Sequence, residues 1–192
     1  MSLARILDAI PHRPPFLWID EVLEETPERL RALKRVDPQE PCLRGHYPGF
    51  PLLPGVLVLE AIFQAGAVLL AERIQEAQSQ GQIPVLARAR EAKFKRMVRP
   101  GDRLEIEVRL VDSLGKAFKL SGEASVGGEL AASVEYMVAL VPAPQEAAPP
   151  AGESLTSTTT TTTTTPAPQP GDTTGRGASD PSPPEGADAH AG

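Results

Sequence analysis

The stretch that most limits how this chain can fold is an abrupt hand-over from loop to helix. Pro38, Pro41, Gly45, Pro48, Gly49, Pro51 and Pro54 keep a long segment irregular, and directly behind it comes the one strongly apolar helix of the sequence. That helix begins at Pro54 or Gly55, since proline is well tolerated in a first helical turn, and is expected to run to Gly81, where a glycine can end it. From 56 to 71 it is apolar on nearly every face, so protein must surround it there; the last turns, 72–80, are polar and should emerge into solvent. The loop carries His46 and the helix carries Glu60, an acid and a base in the least polar part of the chain. Burial disfavours the charged form of a carboxyl group, which suits one that gives or takes protons near neutrality.

Around this helix the sequence reads as strands. A short helix at 3–9 stops before Pro11, and extended segments are expected at 16–23 and 29–36. Beyond the long helix, strand candidates follow at 85–89, 92–98, 104–111, 117–126 and 130–141. In 104–111, Leu104, Ile106, Val108 and Leu110 alternate with Glu105, Glu107 and Arg109, so one face is buried, and the later runs alternate similarly. Turn residues fall between the runs, at Pro100-Gly101-Asp102, Leu114-Gly115 and Gly127-Gly128. One buried helix followed by several antiparallel strands implies an α+β fold in which a curved sheet wraps the helix.

Composition divides the chain in two. Residues 1–143 hold the apolar content needed for a core, whereas 144–192 are dominated by Pro, Ala, Gly, Ser and Thr, with eight consecutive threonines at 158–165. A segment of that kind cannot bury enough apolar surface to offset roughly 1–2 kcal/mol per residue of backbone entropy, and a disordered tail is expected. The formal net charge of −6 argues against nucleic acid as a main partner. Against that background 88–99 is locally basic, with Arg88, Arg90, Lys93, Lys95, Arg96 and Arg99 opposed by Glu91 alone. It either protects a strand edge or docks an acidic partner. Cys42 is the only cysteine, which excludes an intrachain disulfide and fits a reducing compartment. The first sixteen residues are amphipathic, carry Asp8 and lack a small-residue cleavage site, so a cytoplasmic protein is expected. Pro54, Glu60 and Gln64 interrupt the apolar run at 52–71, which speaks for a buried helix and against a membrane span.

Several ordered motifs resemble the beta-hydroxyacyl-acyl-carrier-protein dehydratases of the FabZ type. They are Pro11-His12-Arg13 with Pro15-Phe16-Leu17 and Asp20; Gly45-His46-Tyr47-Pro48-Gly49; Pro54-Gly55-Val56-Leu57; Glu60-Ala61 with Gln64; and Ala92-Lys93-Phe94 with Pro100-Gly101-Asp102. The resemblance covers about 3–141, and so many motifs in order are far more specific than any one alone. It implies the hot-dog fold and a syn elimination of water from a 3-hydroxyacyl thioester on acyl carrier protein, giving the trans-2-enoyl thioester in fatty acid or related lipid synthesis. It further implies His46 and Glu60 as the catalytic pair, contributed to each site by opposite subunits of a homodimer or of a trimer of such dimers, and no metal or other cofactor.

The residues themselves suit those roles. Neutral His46 can accept the C2 proton, protonated Glu60 can donate to the departing C3 hydroxyl, and Gly55 at a helix start can offer its N–H to the thioester oxygen. Gln64, one turn beyond Glu60, could orient that carboxyl group or simply satisfy the core. Tyr47 and Phe63 read as channel or core residues, His12 as an organiser of its loop or of the dimer, and Lys93, Lys95, Arg96 and Arg99 as a docking patch for the acidic carrier. The sequence departs from the family's usual residues at Tyr47, at Ile62-Phe63 and at Arg88-Ala89-Arg90-Glu91, so acyl length is open. Two other readings compete: a non-catalytic, accessory acyl-binding subunit of the same fold, and a hot-dog thioesterase.

Overall fold

A computed structural model of the chain describes residues 3–144, so the segment expected to be a disordered tail lies outside the described residues apart from its first. The elements, in order, are α1 (Leu3–Ala9), β1 (Glu21–Glu25), β2 (Arg29–Arg35), a single 3₁₀ turn (Pro41–Arg44), α2 (Gly55–Leu69), α3 (Ala71–Ser79), β3 (Gln82–Phe94), β4 (Arg103–Leu114), β5 (Ala117–Val126) and β6 (Glu129–Pro142). The strands form one antiparallel sheet in the order β1-β2-β4-β5-β6-β3. Its concave face packs on α2, with Leu30, Ala32, Ile106, Val108, Leu120, Ala124 and Val134 meeting Val58, Ala61, Ile62, Ala65 and Val68 in one continuous core. This is the hot-dog arrangement.

Two glycines let helix and sheet approach. A methyl group on Gly66 of α2 would overlap the Tyr136 hydroxyl, and one on Gly122 of β5 would overlap the Ile62 side chain. Each missing Cβ is filled by a large neighbour, which is how an interior reaches close packing. Tyr136 is fully enclosed, its hydroxyl lies 3.4 Å from the Ile62 carbonyl, and burial pushes the phenol well above its ordinary value. It remains a neutral donor.

Three sequence expectations change. The helix expected through Gly81 breaks at Leu70, where the axis turns by 68°. Leu70 carries no local breaking signal, but it is wholly buried, and the bend folds Ile74 and Ala77 of α3 inward; packing overrides propensity here. The separate strands expected at 85–89 and 92–98 are one strand, β3, with irregularities between Leu86 and Arg88 and between Arg90 and Lys93, and with Glu91 at φ +52°. The extended run at 16–23 begins only at Glu21, because Trp18 gives its N–H to a helix side chain and no ladder. No single helix among the described residues is long and apolar enough to cross a membrane.

The β3 strand is the exceptional element. It closes one edge of the sheet, pairs with β6 alone, and none of its thirteen residues is buried. Leu86 and Phe94 of β3, Met97 beyond it and Val56 at the start of α2 are large apolar residues left exposed.

Candidate active site

His46 follows the 3₁₀ turn and is half-buried; its Nδ1 lies 3.0 Å from the Leu52 carbonyl. A carbonyl can only accept, so Nδ1 carries the proton and donates, and in the neutral ring the lone pair is on Nε2. That tautomer is the one a base needs. The loop beyond is a tight turn: the Phe50 N–H reaches the Tyr47 carbonyl at 2.9 Å, with Pro48 and then Gly49 at φ +86°, the residues a type II turn requires. Tyr47 itself holds φ +56°, uncommon for a residue with a side chain, and sets its ring edge-on to His46 at 4.6 Å.

Glu60 points from α2 into an apolar cleft of about 450 Å³, walled by Phe63 and Ala67 of its own helix, Ile74 of α3, Val85 of β3 and Val138 of β6. Its carboxyl is held by Gln64. That amide is 1% exposed and fully committed: its oxygen accepts the Trp18 N–H at 2.8 Å, and its nitrogen donates to the Phe16 carbonyl at 3.0 Å and to Glu60 Oε1 at 2.9 Å. Because only the amide oxygen can accept from an N–H, the orientation is fixed and the nitrogen must face Glu60. Gln64 thus both contacts Glu60 and satisfies buried backbone groups of the 16–18 segment. The Glu60 side chain is 23% exposed in the single chain, so its sequestration is less complete than the sequence suggests.

Gly55 opens a second apolar cleft, of about 630 Å³, shared with Leu52, Val58, Phe94, Lys95 and Met97. A Cβ there would come 2.9 Å from the Phe94 ring, so the close approach needs glycine. The N–H groups of Leu57 and Val58 both turn back to the Pro54 carbonyl, while those of Gly55 and Val56 precede any possible intrahelical acceptor. Within one chain, then, Glu60, Phe63 and Gln64 share one cleft, Gly55 faces another, and His46 and Tyr47 line neither.

The basic residues divide as well. Arg96 is tied to Asp102 at 3.4 Å and Glu129 at 3.1 Å, and Lys93 meets Glu91 at 3.3 Å on the surface. Arg99 lies over the Phe50 ring, and Lys95 sits on the rim of the Gly55 cleft. Cys42 is half-buried, and burial, with the Glu40 carboxylate beside it, pushes its thiol up.

One residue of the Glu60 cleft was read from sequence as an organiser of its loop or of the dimer. His12 places Nε2 3.7 Å from Glu60 Oε1, although the two lie far apart in the chain. Its signal was present in the Pro11-His12-Arg13 motif. Arg13 explains how the ring is set there: the guanidinium gathers the carbonyls of Leu7, Ile10 and His12 at 2.7–3.0 Å, fixing the end of α1 against the following turn.

A sheet curled around one helix, with an imidazole in the loop before that helix and a carboxyl group on it clamped in an apolar cleft, defines a hot-dog protein. Residues 10–135 match the model of the FabA-like domain, and the chain belongs to that family. It is 43% identical over 141 residues to the 3-hydroxyacyl-[acyl-carrier-protein] dehydratase FabZ of Anaeromyxobacter dehalogenans (strain 2CP-1), covering 73% of this chain and 90% of that one. The protein of the same name from Oceanobacillus iheyensis is 40% identical over 141 residues, covering 73% of this chain and 99% of that one. Among solved structures, a chain of the dehydratase heterocomplex ApeI:P from Xenorhabdus doucetiae superposes with a TM-score of 0.60 at 19% identity, covering 73% of this chain and 91% of that one. At that identity the likeness concerns the fold.

Proposed function

We propose that this chain removes water from a 3-hydroxyacyl thioester carried on acyl carrier protein, in fatty acid or a related lipid synthesis, using His46 and Glu60 from opposite subunits of a homodimer. His46 Nε2 takes a proton from C2, the C2–C3 double bond forms as the C3–O bond breaks, and the leaving hydroxyl departs as water with the proton of Glu60. The negative charge that develops on the thioester oxygen is met by the Gly55 N–H at the start of α2. Gln64 holds Glu60 in register for the transfer. Lys93, Lys95 and Arg99 attract the acidic carrier, while Arg96 braces the turn beside them. The reading also places the enzyme in the cytoplasm, supported by a single unpaired cysteine.

The observation that carries the proposal is the position of Glu60 behind an unpaired edge strand. Its cleft is walled by the first residues of β3, Ile83 to Leu86, whereas Gly55 packs on Phe94 at the last residue of β3. Two copies that pair β3 with β3 about a two-fold axis must run antiparallel, so the beginning of one strand lies beside the end of the other. The His46 loop is tied to that far end, since the Leu53 N–H bonds to the Val98 carbonyl at 2.8 Å and Leu52 holds the imidazole. Pairing therefore carries the partner's imidazole and helix start toward this chain's carboxyl, and covers Leu86, Phe94 and Met97. Trimers of such dimers are compatible with the same contact.

The test is a mixing experiment. His46→Ala and Glu60→Gln should each cost about 10²–10⁴-fold in kcat on a carrier-linked 3-hydroxyacyl substrate without loss of assembly. Co-expressed with different tags, the two inactive chains should form mixed dimers with one intact site, recovering about a quarter of wild-type turnover. Full activity in either single variant refutes the chemistry. Silence of the mixed dimers refutes the sharing of sites.

A further inference from the structure

We propose that His12 is a positioning residue for Glu60: with Gln64 it directs two donors at one carboxyl oxygen, Oε1, and so leaves Oε2 as the oxygen that delivers the proton. This deepens the proposed dehydration and rests on Glu60 being its acid. Three observations carry it. The Gln64 amide nitrogen donates to Glu60 Oε1 at 2.9 Å, and the His12 Nε2 lies 3.7 Å from that same oxygen. Among the described residues of the chain, the buried His12 Nδ1 has no hydrogen-bond partner. Among the described residues of one chain, His12 and Glu60 are the only titratable side chains lining the cleft, to which α3, β3 and β6 contribute none.

The orphaned Nδ1 decides the state of the ring. Protonating both nitrogens would bury an N–H without an acceptor, a full desolvation penalty, whereas a neutral ring with its hydrogen on Nε2 leaves only an unused lone pair. Neutral His12 does not hold Glu60 ionised as an imidazolium would. It turns Nε2 toward Oε1 across 3.7 Å, longer than a hydrogen bond, and the role assigned to it requires that gap to shorten in the substrate complex. In a neutral carboxyl group the oxygen that accepts donors is the carbonyl one, so the acidic proton resides on Oε2. Once that proton has left, the charge is spread over both oxygens, and two donors already aimed at Oε1 stabilise it more than they stabilised the acid. His12 thus acts most strongly as the C3–O bond breaks, which raises kcat more than it affects binding.

The experiment compares His12→Phe, His12→Gln and His12→Asn in the full chain, with oligomeric state monitored and kcat and KM measured on a carrier-linked 3-hydroxyacyl substrate. A Gln amide nitrogen reaches about as far as Nε2; an Asn amide stops near Nδ1. His12→Phe should lower kcat by about 10- to 100-fold with KM within about two-fold, and His12→Gln should recover most of that loss while His12→Asn does not. Should His12→Phe fail to assemble, the Gln and Asn variants decide between themselves. Wild-type kcat in His12→Phe, or equal losses in His12→Gln and His12→Asn, overturns the role of His12. An active Glu60→Gln enzyme would overturn the underlying dehydration chemistry, and it is measured alongside so that the two failures are told apart.

Discussion

Strands β5 and β3 come from the same sheet and teach opposite lessons. In β5 the residues Phe118, Leu120, Gly122, Ala124 and Val126 point inward and are buried, their neighbours are more open, and the strand is hydrogen-bonded on both sides. In β3 no residue is buried, the ladder runs along one side only, and apolar Leu86 and Phe94 stand half-exposed. β5 finds all its partners within the chain. β3 has the length of a central strand, thirteen residues, but the surroundings of an edge, which is where the proposed second copy would supply the missing neighbour.

The contrast can be broken most directly by charging the open edge. Replacing Ala87 and Ala89 of β3 with Asp sets like charges against like across the two-fold contact; sedimentation should report monomers, and turnover should fall by more than about 100-fold as the two halves of each site separate. Aspartate at Ser121 of β5 serves as the control and should leave assembly intact. Dimers that persist with full turnover after the β3 change would remove the basis for a shared site.

A smaller effect sharpens the interior side. Gly66→Ala sets a methyl group against the Tyr136 hydroxyl and should cost about 1–3 kcal/mol in a denaturant titration at fixed protein concentration, and less in a Tyr136→Phe background. Additive losses would mean that the two groups do not compete for the same space. Smaller again, Lys93→Glu with Lys95→Glu should raise KM for carrier-linked substrate by about 3- to 10-fold at low salt and leave a short thioester analogue unaffected. Arg96 is unsuitable for that test because its bonds to Asp102 and Glu129 make it part of the framework.

The mildest prediction concerns Cys42. Burial and the neighbouring Glu40 hold its thiol above the ordinary value of 9.0, so thiolate is scarce below that pH. Alkylation should be slower than for an exposed thiol at pH 8 and still accelerating above pH 9.0. A rate already level at pH 8 would contradict the burial of this side chain.

Much of the fold was legible because its signals are local. Alternation in β4, β5 and β6, glycines in the turns at Gly101, Gly115 and Gly127-Gly128, and proline before α2 each act over a few residues. The break at Leu70 was not legible, since nothing in Leu69-Leu70-Ala71 opposes a helix and the bend comes from burying Leu70 and Ile74. The continuity of β3 was hidden because Glu91 interrupts its pattern at a bulge. For the site, sequence motifs singled out His46, Glu60, Gly55 and Gln64, and spacing alone put Glu60 and Gln64 on one helix face. The cleft, the tautomer of His46 and the approach of His12 depend on segments distant in sequence.

By itself the sequence determined the element types, the core face of most strands, the family and the residues with suitable chemistry, because these follow from residue type and short-range period. Only the tertiary structure decided which donors meet Glu60, which nitrogen of His46 is free and which strand edge is left open. Those depend on the exact meeting of groups held on different elements, and a hydrogen bond is made or lost over a few tenths of an ångström.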